Sequence, residues 1–425
     1  MTNKKNKPKP KGGASNGRQA TIRMYNVGFG DAFLISIHNG KRLSRVLFDC
    51  GSIEAAEGIK MESIVEQIVA DATDPDGVAR IDVVVATHRH KDHVSGFAQP
   101  QWENVEVKEV WMPWTEDPSD PEARKIRDIQ SNLALQLNAG LAARGATSGA
   151  EEKLESDRYQ DLIANALMLS NDKAMKTLHS GFSGSPLRFF LPERAQQGSR
   201  ARTFETGALP GVKVHVMGPS RSRDIIRDMD PPKGESFLRL QRAIAGQNGA
   251  PPAPFSADFR QDSRGTGEGV SAEDADEIRR ATSLSDLAVA VALDKAVNGT
   301  SLMLMFEIAG TFLLFPGDAQ WGTWNEAMAD PEWSDILKKV TFYKIGHHGS
   351  HNATPKDFVE QMIPSGICAM ASTLTRVIWP DIPRQPLLDA LIAKDAKVAR
   401  TDKPANIAKP FRVDDHGIIE TEIPL

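Results

Sequence analysis

The feature that most constrains this chain is a short apolar run that leads directly into a cluster of metal-binding side chains. The run Val83-Val84-Val85-Ala86 is followed by Thr87-His88-Arg89-His90-Lys91-Asp92-His93. A short run of β-branched residues predicts a buried strand. The polar cluster is therefore expected on the loop at the end of that strand, where binding residues are commonly found.

Three imidazoles and a carboxylate within six residues are costly to bury unless they bind something. With only ten histidines in 425 residues, a loop that is His-rich by chance is the weaker interpretation. Neutral imidazoles and ionised carboxylates are good ligands for zinc and acceptable ones for manganese or iron. On an extended loop His88 and His90 point the same way and His93 points the other way, so one loop can serve two adjacent ions.

The composition is that of an ordinary globular protein, with 40% hydrophobic and 25% charged residues. The length of 425 residues suffices for one large domain or two ordinary ones, with a core that needs no disulfides. The only cysteines, Cys50 and Cys368, lie far apart, which favours a reducing compartment, and we expect a cytoplasmic protein. Neither a signal peptide nor a membrane span is expected, since the most apolar run, 301–316, is interrupted by Glu307 and Gly310.

Residues 1–19 are predicted to form a disordered basic tail, because they are rich in Pro, Gly and Asn. Residues 1–23 contain seven basic residues and no acidic one, although the whole chain has a net charge of −5. A basic tail on an acidic body could tether phosphate-bearing polymers loosely. A solvated tail without a binding role is the favoured alternative.

The remaining residues, 20–425, are predicted to form one domain with two insertions, at about 115–210 and 221–297. The first insertion is mostly helical by composition and period, and the second contains a mobile loop followed by a helix. The periodicity predicts helices at 54–72 and 386–394. Strands are predicted at 22–27, 32–37, 45–51, 83–86, 105–111, 212–219, 301–306, 312–316, 340–345, 367–372 and 398–402, followed by a final hairpin.

Two later motifs add further ligand-type residues. The predicted hairpin that begins at Asn298 ends in Pro316-Gly317-Asp318, and the strand at 340–345 leads into Gly346-His347-His348-Gly349-Ser350. Each motif places polar side chains immediately after an apolar strand.

The order of these motifs resembles the metallo-β-lactamase superfamily, and in particular the soluble metallo-β-lactamase domain of ComEC-type DNA-uptake proteins. His-x-His-x-Asp-His after a hydrophobic strand is similar to the superfamily signature. The early turn Val27-Gly28-Phe29-Gly30-Asp31-Ala32 is similar to Val-Gly-Gln-Gly-Asp-Ala, with Phe29 where that family usually has Gln. The segments 298–318 and 347–350 resemble its Asn-x-x-Ser-Leu-Val-Leu…Gly-Asp and His-His-Gly-Ser. The resemblance implies an α/β fold, a four-layer αββα sandwich of two mixed sheets with helical insertions.

The resemblance also implies a ligand set for two divalent ions, most plausibly zinc or manganese. His88 and His90 would hold one ion, Asp92 and His93 would hold the second, and Asp318 would bridge them. One of His347 and His348 would complete the second ion, and alignment on the following glycine favours His348. His347 would then donate to a phosphate oxygen or a leaving group.

Other positions have supporting or open roles under this resemblance. Asp31, Asp49 and Ser350 would stand behind the ligands, with Asp49 buttressing the metal loop by hydrogen bonds. The wider superfamily often adds a third histidine to the first ion, and only His215 lies in the right part of the chain, although a packed strand histidine is the favoured alternative. Gln385 stands where the family often has His, and His351 is close enough in sequence to replace that residue.

The resemblance implies a binuclear hydrolase in which a hydroxide bridging the ions is the nucleophile, with Asp92 and His347 as catalytic residues. We expect a phosphodiesterase or nuclease acting on a phosphodiester substrate, nucleic acid included. The acidic body and the lack of a basic run interleaved with aromatics argue against a polymer. One alternative is a small-molecule hydrolase of a lactam, lactone, ester or thioester. A second is a non-catalytic partner in a larger complex, which the intact ligand set argues against.

Overall fold

The strands of this chain assemble into two mixed sheets in a computed structural model, which describes residues 18–40, 42–53, 58–132, 171–193, 202–228, 230–232, 296–350, 352–375, 382–404 and 407–425. The strands are β1 Gln19–Met24, β2 Phe33–Asn39, β3 Arg42–Phe48, β4 Arg80–Val85, β5 Glu106–Pro113, β6 Leu187–Leu191, β7 Thr203–Glu205, β8 Val212–Gly218, β9 Met303–Ile308, β10 Thr311–Phe315, β11 Val340–Lys344, β12 Cys368–Ala371, β13 Lys397–Arg400, β14 Arg412–Val413 and β15 Ile419–Pro424. The α/β class and the two mixed sheets predicted from sequence are therefore confirmed.

The first sheet has the strand order β14-β15-β1-β2-β3-β4-β5-β6. Its early part is an antiparallel meander, as the turn-rich sequence predicted, and β3, β4, β5 and β6 are parallel. Strand β4 is buried on both faces, because Val83 and Val85 face one core cluster and Val84 faces another. That burial explains why β4 is a continuous apolar run rather than an alternating one.

The second sheet has the order β13-β12-β11-β10-β9-β8-β7. It is antiparallel from β7 to β10 and parallel from β10 to β13. The carboxyl ends of β10 and β11 lead to Asp318 and to the paired histidines, respectively. Both late motifs of the sequence therefore lie at the same edge of this sheet.

The main core lies between the two sheets. One cluster of buried side chains draws on both of them, including Ile35 and Val85 from the first sheet and Leu304 and Phe315 from the second. Phe48 of β3 stacks on Phe315 of β10, with ring centroids 4.2 Å apart. The two sheets therefore pack face to face.

Helices cover the outer face of each sheet. The α-helices are Met61–Asp71, Lys91–Val94, Asp172–Ser180, Arg223–Arg227, Trp321–Ala329, Pro331–Leu337 and Gln385–Ala393, and residues 121–132 are also helical. Shorter 3-10 turns lie at Ser95–Ala98, Pro100–Asn104, Trp114–Glu116 and Gly346–Gly349, with a π-helical turn at Phe358–Met362. Helices 61–71 and 172–180 pack on the first sheet, and helices 321–329, 331–337 and 385–393 pack on the second.

Several boundaries differ from the sequence-based prediction. Strand β1 begins at Gln19, the last residue assigned to the tail, because Gln19 pairs with Pro424 of β15. The edge strands β6 and β7 come from the region predicted as the first insertion. Most of the residues predicted to be helical in the two insertions lie outside the described residues, and so do residues 1–17 of the tail.

No helix among the described residues is long and apolar enough to cross a membrane.

Candidate metal centre

The turn after β1 and the turn after β3 press directly against the metal loop. A Cβ added to Gly30 would lie 2.2 Å from the carbonyl oxygen of Gly51 and 2.8 Å from that of Asp92. Hydrogen bonds follow the same contacts, from Asp31 N to Asp92 O (2.9 Å) and from Gly51 N to Asp31 O (3.0 Å). The Gly-x-Gly-Asp motif is therefore needed for close backbone approach as well as for turning the chain.

The metal loop itself is not extended throughout. His88 and His90 lie on irregular backbone, but Lys91–Val94 form a single helical turn, with His93 N donating to His90 O (3.0 Å). The alternation expected of an extended loop therefore does not apply to Asp92 and His93. The helical turn, rather than strand alternation, directs these two side chains.

Hydrogen bonds to Thr87 and Asp49 fix which ring nitrogen of two histidines carries the proton. Thr87 donates to Asp49 from its backbone N and from its Oγ1, each at 2.7 Å. His93 Nδ1 lies 2.8 Å from Asp49 Oδ2, and His88 Nδ1 lies 3.1 Å from Thr87 Oγ1. Because the carboxylate accepts and the threonine hydrogen is already donated, both Nδ1 atoms are donors. The Nε2 atom of each ring is therefore the nitrogen that can bind a cation, which in His93 would displace the Nε2 proton.

Four of the predicted ligands form one buried cluster. The ligand atoms of Asp92, His93, Asp318 and His348 all lie within 4.8 Å of one another. His93 Nε2 is 3.2 Å from Asp318 Oδ2, and His348 Nε2 is 3.1 Å from Asp92 Oδ2. His348 Nδ1 lies 2.8 Å from the backbone oxygen of Ser372, which can only accept, so Nδ1 is a donor and Nε2 is the nitrogen that faces the cluster. Two imidazole nitrogens and two carboxylates therefore converge on one point.

This cluster fits a divalent cation. Within the described part of the chain, neither carboxylate oxygen of Asp318 nor Nε2 of His93 makes a hydrogen bond of normal geometry, although all three atoms are buried. Leaving such atoms without partners is costly, and nearly all buried polar atoms in proteins have one. A cation among them would satisfy all three, and two imidazoles with two carboxylates suit zinc or manganese.

The charges of the cluster favour a cation as well. Burial opposes ionisation of Asp318, but His93, His347 and Lys344 outweigh it and hold the pKa of this carboxyl well below its usual range. Burial likewise opposes a charge on His93, yet the carboxylates of Asp318 and Asp92 raise the pKa of His93 well above its usual value. The carboxylates are thus ionised, and they attract any cation that reaches them.

The structure separates the two adjacent histidines. Both have left-handed backbone, with φ of 46° at His347 and 52° at His348, which is strained for non-glycine residues. His348 is fully buried in the cluster, whereas the side chain of His347 is 18% exposed. His347 Nδ1 lies 3.3 Å from Asn352 Oδ1, and its Nε2 is 3.7 Å from Asp318 Oδ2. His348 therefore occupies a ligand position, and His347 lies at the rim.

The other two predicted ligands lie beside the cluster. His88 Nε2 is 3.1 Å from His90 Nδ1, and the rings of His88 and His93 have centroids 4.1 Å apart. Burial, together with the neighbouring His93, holds the pKa of His88 well below its usual value, so this ring is neutral. All six predicted ligands are therefore buried in one region, as a four-residue cluster with a histidine pair next to it.

Lys344 is a buried part of the site that the sequence analysis did not single out. Its Nζ forms an ion pair with Asp31 and lies 3.7 Å from Asp318 Oδ1, and its side chain is only 3% exposed. The sequence contained a signal, because Lys344 ends the otherwise apolar strand β11 just before the paired histidines. A lysine at a position where a strand is buried predicts a carboxylate partner.

The other positions singled out from sequence lie apart from the cluster. Val214 and Val216 of β8 face the core between the sheets, and His215 is buried on the opposite side of that strand. The ring nitrogens of His215 lie 3.0 Å from Thr203 Oγ1 and 2.9 Å from Glu307 Oε2. The structure thus places it as a packed strand histidine. The backbone N of Ser350 donates to His347 O (2.8 Å), and Gln385 is exposed and bonds to Asp389. His351 lies outside the described residues.

No family model and no curated protein matches this sequence. The geometry of the cluster and the sequence motifs that form it are therefore the basis for a proposed function.

Proposed function

We propose that this protein is a metal-dependent hydrolase of the metallo-β-lactamase type, a phosphodiesterase or nuclease that uses two divalent ions. The observation that carries the proposal is the buried convergence of Asp92, His93, Asp318 and His348, in which both Asp318 carboxylate oxygens and Nε2 of His93 make no hydrogen bond of normal geometry. The proposed four-layer sandwich is supported by the core between the sheets and by helices on both outer faces. The two cysteines form no disulfide, which supports the cytoplasmic location predicted from sequence.

The chain would hold the ions with its own side chains and position a substrate beside them. Asp92, His93, Asp318 and His348 would hold the second ion, and His88 and His90 would hold the first. When bound, two such ions lower the pKa of water from about 15.7 towards 7 and offset the negative charge that develops on phosphate oxygens. Asp49 and Thr87 keep His88 and His93 in the tautomers that leave Nε2 available.

His347 is the residue of the site best placed to act on the substrate. Its Nδ1 points at Asn352, its Nε2 lies 3.7 Å from Asp318 Oδ2, and its side chain is 18% exposed at the rim of the cluster. An imidazole in this position can donate a hydrogen bond to a phosphate oxygen or a proton to a leaving alkoxide. Because His347 contacts Asp318 but lies outside the ligand cluster, its replacement is expected to reduce turnover and leave metal binding intact.

A fixed positive charge beside the cluster supports a phosphodiester in preference to a neutral substrate. Lys344 Nζ lies 3.7 Å from Asp318 Oδ1, and the imidazole of His347, which can donate a hydrogen bond, lies at the same distance from Asp318 Oδ2. Positive charge at a preorganised site stabilises a phosphoryl transition state, which carries more negative charge than the one for a lactam or ester. The small-molecule hydrolase remains the alternative that the following experiment tests.

The experiment is hydrolysis of bis-p-nitrophenyl phosphate by the full chain, with Mn²⁺, Zn²⁺ or Mg²⁺ added after chelation. The test variant is Asp92→Asn, which preserves side-chain shape but removes a ligand charge. The matched control is Asp82→Asn, because Asp82 is a buried aspartate of β4 that pairs with Lys108 and accepts a hydrogen bond from the backbone N of Arg45, away from the cluster.

Metal-dependent release that Asp92→Asn abolishes and Asp82→Asn retains would support the proposal. Release by the metal-free protein, or by Asp92→Asn at the rate of the unmodified chain, would refute the two-ion assignment. If the protein holds about two ions and releases nothing, the phosphodiesterase proposal fails. Lactam, lactone, ester and thioester substrates would then be tested in its place.

A further inference from the structure

We propose that Asn298 supplies a further protein ligand of the first metal ion, through its side-chain oxygen, alongside His88, His90 and the shared Asp318. This inference rests on the proposed binuclear site and adds to it a ligand that the sequence analysis did not assign. It also gives the two ions different ligand sets, and with them different affinities and metal preferences.

The two distances that join His90 to Asn298 and to His88 are close to those between ligand atoms of one ion. His90 Nδ1 lies 2.9 Å from Asn298 Oδ1 and 3.1 Å from His88 Nε2. Atoms bound to one ion at about 2.1 Å lie roughly 3.0 to 3.4 Å apart, for bond angles between octahedral and tetrahedral. Asn298, His88 and His90 are all buried, at 0%, 1% and 5% exposure.

The hydrogen-bond network makes an ordinary hydrogen-bonded arrangement less favourable than a metal site. The proton of His88 is on Nδ1, where Thr87 accepts it, so His88 Nε2 presents a lone pair to His90. The Asn298 oxygen presents a second lone pair to the same His90 nitrogen. A single N–H on His90 Nδ1 cannot point at both His88 Nε2 and Asn298 Oδ1. One cation among the three atoms would bind a lone pair from each of them.

The backbone holds Asn298 in this position. Leu302 N donates to Thr87 O (2.9 Å), which joins the start of the β9 segment to the metal loop, and Ser301 N donates to Asn298 O (3.0 Å). A Cβ added to Gly317 would lie 3.0 Å from both Leu302 O and Thr87 Cβ, so the segments are in close contact. The position of Asn298 is therefore set by the backbone of a tight turn and does not depend on a flexible side chain.

The two ligand sets differ in charge. The second site has two imidazoles and two carboxylates, of which Asp318 would be shared, while the first adds only two imidazoles and a neutral amide oxygen. More carboxylate charge gives tighter cation binding, so the second site is expected to fill first. Carbonyl oxygen is a better ligand for manganese than for zinc. The preference for zinc over manganese is therefore expected to be weaker at the first site than at the second.

The first test is metal binding itself, measured by titration calorimetry and elemental analysis on chelated full-length chain. The variant Asn298→Leu has similar size and no ligand atom. We expect it to keep the tight ion and to bind the weaker ion about 10- to 100-fold less well. The matched control is Thr300→Val in the same turn, because the Thr300 hydroxyl bonds to Val297 O and not to the site. The control is expected to bind both ions as the unmodified chain does.

A second test detects the bond directly and does not depend on how well the leucine variant folds. The variant Asn298→Cys, loaded with Co²⁺, is expected to show a thiolate-to-cobalt charge-transfer absorption that the unmodified chain lacks, since thiolates bind such metals strongly. Thr300→Cys serves as the control and is expected to show no such band.

The outcomes separate this inference from the proposed function. If Asn298→Leu binds both ions with unchanged affinity and Asn298→Cys gives no band, the ligand role of Asn298 is wrong while the binuclear site stands. If the unmodified chain binds no divalent ion, both proposals fail. A band in Asn298→Cys from a protein that hydrolyses no diester would support the ligand assignment and refute the phosphodiesterase.

Discussion

Lys344 offers the sharpest test of how this site is held together when no metal is bound. Replacing it with methionine keeps the volume and removes a buried positive charge. Lys344 pairs with Asp31 and lies 3.7 Å from Asp318, and both carboxylates are 1% exposed. Methionine would leave the Asp31 carboxylate without its close cationic partner and would remove one of the positive charges beside Asp318.

The expected magnitude follows from that burial. Breaking a buried ion pair by removing one partner destabilises a protein by about 3–5 kcal/mol. The matched control is Lys108→Met, because Lys108 also pairs with an aspartate, Asp82, but its side chain is 59% exposed. Exposed pairs of this kind contribute about 0–1 kcal/mol.

The assay is urea unfolding in excess chelator, so that bound metal does not contribute to the free energy of unfolding. The double variant Lys344→Met/Asp31→Asn removes both charges. Its loss in free energy of unfolding is expected to be smaller than the summed losses of the two single variants, by about 1–3 kcal/mol. A loss of less than about 1 kcal/mol in Lys344→Met, or strict additivity in the double variant, would refute the assignment of Lys344 as the counter-charge of Asp31.

Three other predictions follow from separate observations. Gly30→Ala is expected to lower the melting temperature and the metal content, because its Cβ would overlap backbone atoms of Gly51 and Asp92. The control Gly207→Ala should be neutral, because its Cβ would meet nothing within 4 Å. Equal melting temperatures for the two variants would contradict the close packing of Gly30. Burial opposes ionisation of Asp74, but hydrogen bonds from Arg45 and Arg80 outweigh it and lower its pKa, so its stabilising effect is present above about pH 4 and is lost as pH falls through the folded-state pKa. Asp74→Asn should therefore destabilise by no more than about 1 kcal/mol at pH 7 and by progressively less as the pH falls through the folded-state pKa, and a drop in urea midpoint that stays the same at acid pH would count against it. Deleting residues 1–17, which leaves β1 intact, is expected to raise KM for a DNA or RNA polymer and not for a small diester; equal effects on both substrates would exclude tethering by the tail.

The two sheets were predictable because strands leave a local pattern in the sequence. Apolar alternation marks β8, and nearly continuous apolar runs mark β4, β9 and β10, whose residues are almost all buried. The edge strands β6 and β7 left a weaker pattern. Leu187 of β6 is 64% exposed and β7 has three residues, so neither shows a clear buried face. Short edge strands are defined by their neighbours more than by their own residues.

The candidate ligands were visible in the sequence because metal-binding residue types are unusual when clustered. Their arrangement was not visible, because it depends on contacts between distant segments. His348 meets Asp92 across 256 positions, and His90 meets Asn298 across 208. The resemblance left the order of His347 and His348 open, and only their burial distinguishes them.

The sequence by itself determined the α/β class, most of the strands and the six side chains that gather at the candidate metal centre. These depend on periodicity and on residue type, both of which are local properties of the chain. The tertiary structure decided which imidazole nitrogen faces the centre, that His215 packs away from it, and that Lys344 and Asn298 belong to it. Those outcomes depend on which strand ends meet, and burial then requires every charge and lone pair brought together there to have a partner.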